Sequence, residues 1–255
     1  MIVPVIKLHR RHVIVDIDTQ RHFFSSGGIA LVKNHRNVLA NVKRVVDWAR
    51  MKNIRVISTV QIGFPDASAA FAVYRTPDGG TSLHPRERVR VCGRVPKGDS
   101  SAFEHGPIYT GTLHYCCNCC PADAECQKKV AYTMLERHTS FPADDCTDLL
   151  PEILEQYDQV IFRKRCFDPF EEPRVDRMLS ELRADEFILI GAVTEGAVKA
   201  TALGLLSRHK NVTIPVDAIG SYDRTVGKIA VRRMWVRGAK LVNTKTLVGS
   251  CGSHP

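Results

Sequence analysis

Apolar positions along the chain recur with two alternating periods. Short apolar runs rich in β-branched residues and bounded by polar turns predict buried strands at His12–Asp18, Ile54–Val60, Gln159–Phe162 leading to Lys164, Glu186–Ile190, Asn211–Asp217 and near Lys240–Val242. Between them, apolar residues spaced three and four apart predict helices. One starts at Asn34 as cap and runs through Val38, Val42, Val45, Val46 and Ala49; others span about Pro173 to Arg183, follow Gly191, and begin near Arg224. Pro215 lacks the N–H that a ladder needs, so a bulge or break is expected in its strand. Strands alternating with helices predict a three-layer α/β/α fold, Rossmann-like, around a mostly parallel sheet of about six strands. The length of 255 residues fits one core, so 1–255 reads as a single domain.

The pattern lapses between Gln61 and about Leu150, a stretch of Gly, Pro, Cys and charged residues far longer than the roughly 2–6 residues of an ordinary α/β connection. It reads as a functional or oligomerising excursion with some local structure, bordering the site or another subunit. Five of the nine cysteines crowd into HYCCNCCPADAEC, His114 to Cys126. Cys116 with Cys119, or Cys117 with Cys120, has the spacing of half a zinc site, which Cys126, Cys146, His105 or His114 would complete. No second CxxC follows, so free thiols or a redox pair are expected, with no metal and no cofactor. The PDGG at Pro77–Gly80 neither follows a clear strand nor opens a clear helix, and reads as a turn rather than a phosphate loop.

Charge changes the picture modestly. Lys and Arg number 36 against 27 Asp and Glu, a formal charge of +9, yet they are spread without a basic tail, an RNP-like motif or a helix-turn-helix signature. The expected partner is a small molecule, with no nucleic acid; the charge reads first as a generally basic surface and second as attraction of anionic ligands. The N-terminal MIVPVIKLHRRHVIVDID has no apolar run long enough to span a bilayer and no leader pattern, so no membrane partner and a cytoplasmic location are expected. The odd, crowded cysteines fit reduced thiols better than a secreted disulfide framework.

Candidate chemistry sits at three strand ends, where ligands of open α/β sheets bind. Asp18 ends the first strand; a carboxylate there is a general acid or base, or a cap, and Asp16 lies on the same side of an ideal strand. Lys164 ends the strand DQVIF, where a surface lysine is the ordinary expectation. In GAVTEGAVKATALGLL, Gly191 to Leu206, a strand runs into a polar turn at Thr194–Glu195 and then a helix with Ala197, Ala200, Thr201 and Gly204 on one face. The first helical turn, where backbone N–H groups are unpaired and the dipole favours negative charge, is occupied by Ala197.

Together the blocks VDIDTQRHFF (15–24), VIFRKRCFDPF (160–170), GAVTEGAVKATALGLL and VDAIGS (216–221) resemble the isochorismatase-like cysteine hydrolase family, which includes nicotinamidases, carbamoyl-amine hydrolases and isochorismatases. The resemblance implies an aspartate general base at Asp18 rather than Asp16, a lysine at Lys164, and a cysteine nucleophile, preceded by a cis peptide, at the position of Ala197. Substrate contacts are expected from Gln20, Phe23, Phe170, Thr194 and Val198, although for Phe23, Phe170 and the flanking Phe24 and Phe167 packing under the sheet rim is at least as good a reading; a homo-oligomer is expected. Glu195 and Tyr222 read as capping or surface groups. Relatives with a catalytic metal carry an aspartate and histidines after the second strand, whereas this chain reads TVQIGFPDAS (59–68).

Alanine supplies no nucleophile. The expected activity is hydrolysis of a small amide, carbamoyl or related C–N substrate, with the thiol route disabled in the chain as written. Four readings of Ala197 stay open: a replacement introduced to trap a ligand, a natural pseudoenzyme that binds or assembles without catalysis, a cysteine-free hydrolysis of a vinyl-ether type using Asp18, and, ranked last, transfer of the nucleophile to Cys166.

Overall fold

The computed structural model describes residues 10–25, 31–62, 69–75, 81–85, 109–113, 125–150 and 152–249. The cysteines at 116–120, His105, His114 and the PDGG turn lie outside the described residues. In chain order the strands are β1 (Arg10–Ile17), β2 (Arg55–Gln61), β3 (Ala69–Arg75), β4 (Thr81–Pro85), β5 (Tyr109–Leu113), β6 (His138–Phe141), β7 (Gln159–Lys164), β8 (Ala184–Ala192), β9 (Val212–Pro215), β10 (Ile219–Gly220) and β11 (Lys240–Val242).

The main sheet has eight strands, in the order β11-β9-β8-β1-β2-β7-β6, with β10 also paired to β8. Its ladders are all parallel. The count exceeds the expected six because β6 and β10 carry little signal. The sequence of β6, HTSF, alternates between exposed and half-buried positions at the sheet edge, and β10 is only two residues long. β6 also shows that the end of the long excursion adds an edge strand to this sheet. β3, β4 and β5 pair with one another as a separate antiparallel sheet.

Pro215 acts as expected. β9 pairs with β8 only at Phe187↔Val212 and Ile188↔Thr213, and β10 takes over along β8 at Gly191 and Ala192. The ladder to β8 thus ends before the residue that cannot donate to it.

Two apolar layers flank the sheet and make the fold three-layered. Odd positions of β1 (Val13, Val15, Ile17) join Val160, Phe162, Met178, Leu179, Ala202, Leu205 and Met234 on one side. Ile14, Val56, Ile188 and Ile190 meet Val42, Val45, Val46 and Trp48 of the helix His35–Lys52 on the other. Burying each such side chain contributes about 1.5–3 kcal/mol, so the 3.6-residue stripe of that helix is what fixes it to the sheet. Asn34 marks its start but caps differently from expectation: it is left-handed, at φ 61°, and its side chain makes no cap hydrogen bond. Asp223 does cap the helix Arg224–Val236, accepting from Thr225 N and Val226 N at 2.8 and 3.0 Å.

Gly191 is the close-approach point where β8 meets β1. Its φ is +115°, and a Cβ there would lie 1.9 Å from the carbonyl oxygen of Ile17. Neither the backbone conformation nor the space admits a side chain. Gly191→Ala is expected to destabilise the fold by at least about 4 kcal/mol, or to abolish soluble expression. A urea-unfolding midpoint within experimental error of the wild type would contradict this.

Candidate active site

β1 ends at Ile17 and the next residue, Asp18, is left-handed at φ 49°. Aspartate is among the few non-glycine residues that tolerate this region. The consequence is a change of side. Strand alternation would send Asp18 the same way as Asp16, toward the layer of Ile14, but the turn swings it to the layer of Ile17. Asp16 accepts from Ser58 Oγ at 3.0 Å and from Lys129 Nζ at 2.6 Å. Asp18 instead accepts from Thr59 Oγ1 at 2.7 Å through Oδ1, and its Oδ2 lies 2.7 Å from Lys164 Nζ. Ser58 and Thr59 are consecutive in β2 and point to opposite faces, so each serves one carboxylate.

Lys164 shows no exposure and Asp18 only 2 %, so this ion pair is held out of water. The remaining donors of the ammonium reach Gln61 Oε1 at 2.6 Å and the carbonyl of Cys166 at 3.1 Å. All three N–H groups are therefore engaged, the condition under which a buried lysine keeps its charge without excessive penalty. Lys164 is not the surface lysine that its strand-end position ordinarily implies.

Gln61, at the end of β2, was not among the candidates, although it obeys the strand-end rule that picked out Asp18 and Lys164. Its amide donates to Arg165 O, and Gln20 staples its backbone from the other side. Gln20 donates to Gln61 O and Gln127 O at 2.9 and 2.8 Å and accepts from Gln61 N at 2.9 Å. With its amide so engaged, Gln20 positions Gln61 and, through it, Lys164.

β8 leads through a cis Ala192–Val193 peptide into a turn, Thr194–Val198, kinked at the non-helical Gly196, which continues as the helix Lys199–Ser207. All five residues of the turn are buried, Ala197 at 1 % exposure. Ala197 and Val198 lie in the same apolar layer as Ile17 and Phe162, the layer toward which Asp18 and Lys164 point. Gly196 N and Val198 N both donate to Val193 O, at 3.0 and 3.1 Å. The amides flanking Ala197 are thus occupied and do not form a shared anion cradle. The buried face of the following helix is Thr201, Ala202 and Leu205 rather than the stripe through Ala200 and Gly204. Gly196, non-helical at φ −112° and ψ −110°, kinks the chain ahead of this helix, so helical spacing does not run unbroken from Thr194.

Of the remaining candidates, Thr194 donates to Gly220 O at 2.8 Å, and Phe23 packs edge-on against His22 with ring centroids 4.9 Å apart. Phe170 lies over Gly204 and under the Arg208 guanidinium, 3.9 Å from the ring centroid. That placement makes Phe170 a packing residue of the helix.

Glu195 is buried, and its carboxylate accepts from Ser221 Oγ at 2.7 Å and from Tyr222 N at 2.9 Å, so it clamps the 221–223 loop rather than facing solvent. Burial pushes its carboxyl up, against the opposing pull of these donors. The Tyr222 phenol is held well above its usual range, first by burial and then by the charges of Glu195 and Asp18.

Lys199, two residues beyond Ala197, is lowered to about 8 from 10.5, by burial first and by Arg233 second, with Glu195 opposing. Its folded-state value is below its unfolded value, so protonation penalises the fold at pH below about 8 and the penalty is relieved as pH rises from about 8 to 10.5. The wild-type urea midpoint should therefore gain from this group across that window. Lys199→Met should remove the gain; a variant with the same pH profile as the wild type would assign the slope elsewhere.

A parallel sheet thus carries a buried Asp–Lys pair at the ends of β1 and β7 and a buried turn after β8, in an α/β fold like that of isochorismatase-like neighbours. Residues 127–246 match the family model described as the isochorismatase domain. The matched segment contains Lys164 and Ala197 and begins after Asp18. No curated protein matches the chain.

Among solved structures, a cysteine hydrolase from Pseudomonas syringae pv. phaseolicola is similar with a TM-score of 0.58 and 17 % identity, over 97 % of this chain and 93 % of that one. A nicotinamidase/pyrazinamidase from Bacillus subtilis is similar at 0.58 and 13 %, over 91 % and 100 %. The MAR1 ribonuclease from Caenorhabditis elegans is similar at 0.51 and 18 %, over 95 % and 82 %. At these identities the likeness is one of fold.

Proposed function

We propose that the chain is a C–N hydrolase of the isochorismatase-like type whose nucleophile position is held by Ala197, so that it retains the acid–base half of the site and lacks the thiol. The observation that carries this reading is the desolvated Asp18–Lys164 contact of 2.7 Å at the carboxyl ends of β1 and β7. In a thiol mechanism Asp18 takes the nucleophile's proton and Lys164 holds the resulting negative charge, while substrate is oriented against them. The substrate class is a small amide or carbamoyl compound, in keeping with the nicotinamidase/pyrazinamidase and cysteine hydrolase neighbours. As it stands the chain is a poor amidase.

A cysteine-free route is the second reading, favoured by a pair that is complete without residue 197: both carboxylate oxygens and all three ammonium donors are already matched. Assays of the wild type and Ala197→Cys against small amides, carbamoyl amines and isochorismate separate the two. Amide turnover that appears only with the cysteine supports the first, and vinyl-ether turnover by the wild type that is lost in Asp18→Asn supports the second.

A further inference from the structure

We propose that the groove between the helices His35–Lys52 and Arg224–Val236 binds the phosphate group of a small phosphorylated molecule, at a place distinct from the Asp18–Lys164 pair. A cavity of about 940 Å³ lies there, at the carboxyl ends of β9, β10 and β11, and neither Asp18, Lys164 nor Ala197 lines it. Its size falls at the upper end of the roughly 300–1,000 Å³ usual for small-molecule sites, and its position is the sheet edge where ligands of open α/β folds collect.

Charge selects the ligand class. Lys33, Arg44, Arg224 and Lys228 line the cavity against one carboxylate, Asp217. That carboxylate is committed, its Oδ1 accepting from the amide and the hydroxyl of Thr244 at 2.8 Å each. Arg224 and Lys228 are one helical turn apart and so share a face, and on the opposite wall Asn37, Asn41 and Arg44 do the same.

Among the described residues none of Arg44, Arg224 and Lys228 is paired with a carboxylate. Arg44 donates only to Asn41 Oδ1 at 3.2 Å, and Lys33 sits 3.9 Å from Asp223 Oδ2. Arg44, Arg224 and Lys228, gathered in one concavity without carboxylate partners of their own among the described residues, repel one another, and a multiply charged ligand with several acceptor oxygens relieves this better than a single carboxylate does. The N-terminus of the helix His35–Lys52 adds to the field, since the Asn34 side chain does not cap it. The opposite helix contributes side chains rather than amides, because Asp223 already occupies its first N–H groups. Val38, Val231 and Leu241 supply an apolar wall for the organic part of the ligand.

The test is calorimetric titration of the full chain with inorganic phosphate, 5′-AMP, adenosine and a short single-stranded RNA, in the wild type, Asp18→Asn and the double variant Arg224→Ala/Lys228→Ala. Phosphate and 5′-AMP should bind, with 5′-AMP at least about tenfold tighter than adenosine, and the double variant should weaken 5′-AMP by at least about tenfold with an unchanged melting temperature. Asp18→Asn should leave this binding intact, and Arg224→Lys/Lys228→Arg should restore most of it. Equal binding of adenosine, loss of binding in Asp18→Asn, no effect of the double variant, or no binding of either phosphate compound at millimolar concentration would each overturn the proposal. RNA held at least about tenfold more tightly than 5′-AMP would overturn the small-molecule assignment in favour of a polymer.

Discussion

Ala197→Cys should raise hydrolysis of at least one small amide or carbamoyl amine by on the order of a thousandfold or more over the wild type. The expectation follows from what the site already holds. Asp18 is oriented by Thr59 and Lys164, Lys164 is oriented by Gln61 and Cys166 O, and the turn that bears residue 197 is buried against the same layer. On the proposed reading, what is missing is the atom that would split one difficult displacement into two easier ones. On the same reading, a thiol at residue 197 that reaches the Lys164 ammonium is biased toward thiolate, and the Asp18 carboxylate accepts its proton.

The sulfur must fit where Ala197 is 1 % exposed, so some loss of stability, about 1–3 kcal/mol, should accompany the gain. Adding Asp18→Asn to Ala197→Cys should return turnover to the background. If the wild type is already efficient and Cys166→Ala abolishes that activity, the nucleophile resides at Cys166 and the assignment of residue 197 is wrong.

The sequence pattern reaches some parts of this structure and not others, for reasons that are local. Asp18 and Lys164 stand at the ends of strongly apolar strands, and both the strands and the convergence of their ends follow from periodicity together with the parallel topology. The choice between Asp16 and Asp18 does not follow from it, because one left-handed residue overrides the strand's alternation. Lys129 carries no periodic signal in its stretch QKKV. It meets Asp16 only through a contact spanning 113 positions in sequence, so nothing short of the tertiary structure reveals it. The helix after Ala197 is placed correctly and its expected face is met in part: Ala197 and Thr201 are buried, while Ala202 and Leu205 are buried in place of Ala200 and Gly204, since regular helical spacing does not hold across a turn kinked at Gly196. Asn34 and Asp223 are both reasonable caps by composition, and only Asp223 has the extended backbone that lets its carboxylate turn back on the helix.

Lys164→Met should destabilise the fold by about 3–5 kcal/mol, measured by urea unfolding at neutral pH, because it leaves the Asp18 carboxylate buried with Thr59 as its remaining side-chain donor among the described residues. Asp18→Ala should cost a comparable amount, since the ammonium of Lys164 would then rest on the two neutral oxygens of Gln61 and Cys166. The double variant Asp18→Leu/Lys164→Met should be less destabilised than the sum of the two single losses, because removing both charges removes the desolvation penalty along with the attraction. That non-additivity separates a true buried pair from two residues that merely pack. A loss under about 1 kcal/mol for Lys164→Met would mean that water reaches the pair, as at an exposed salt bridge, and that the acid–base site opens in solution far more than its burial implies.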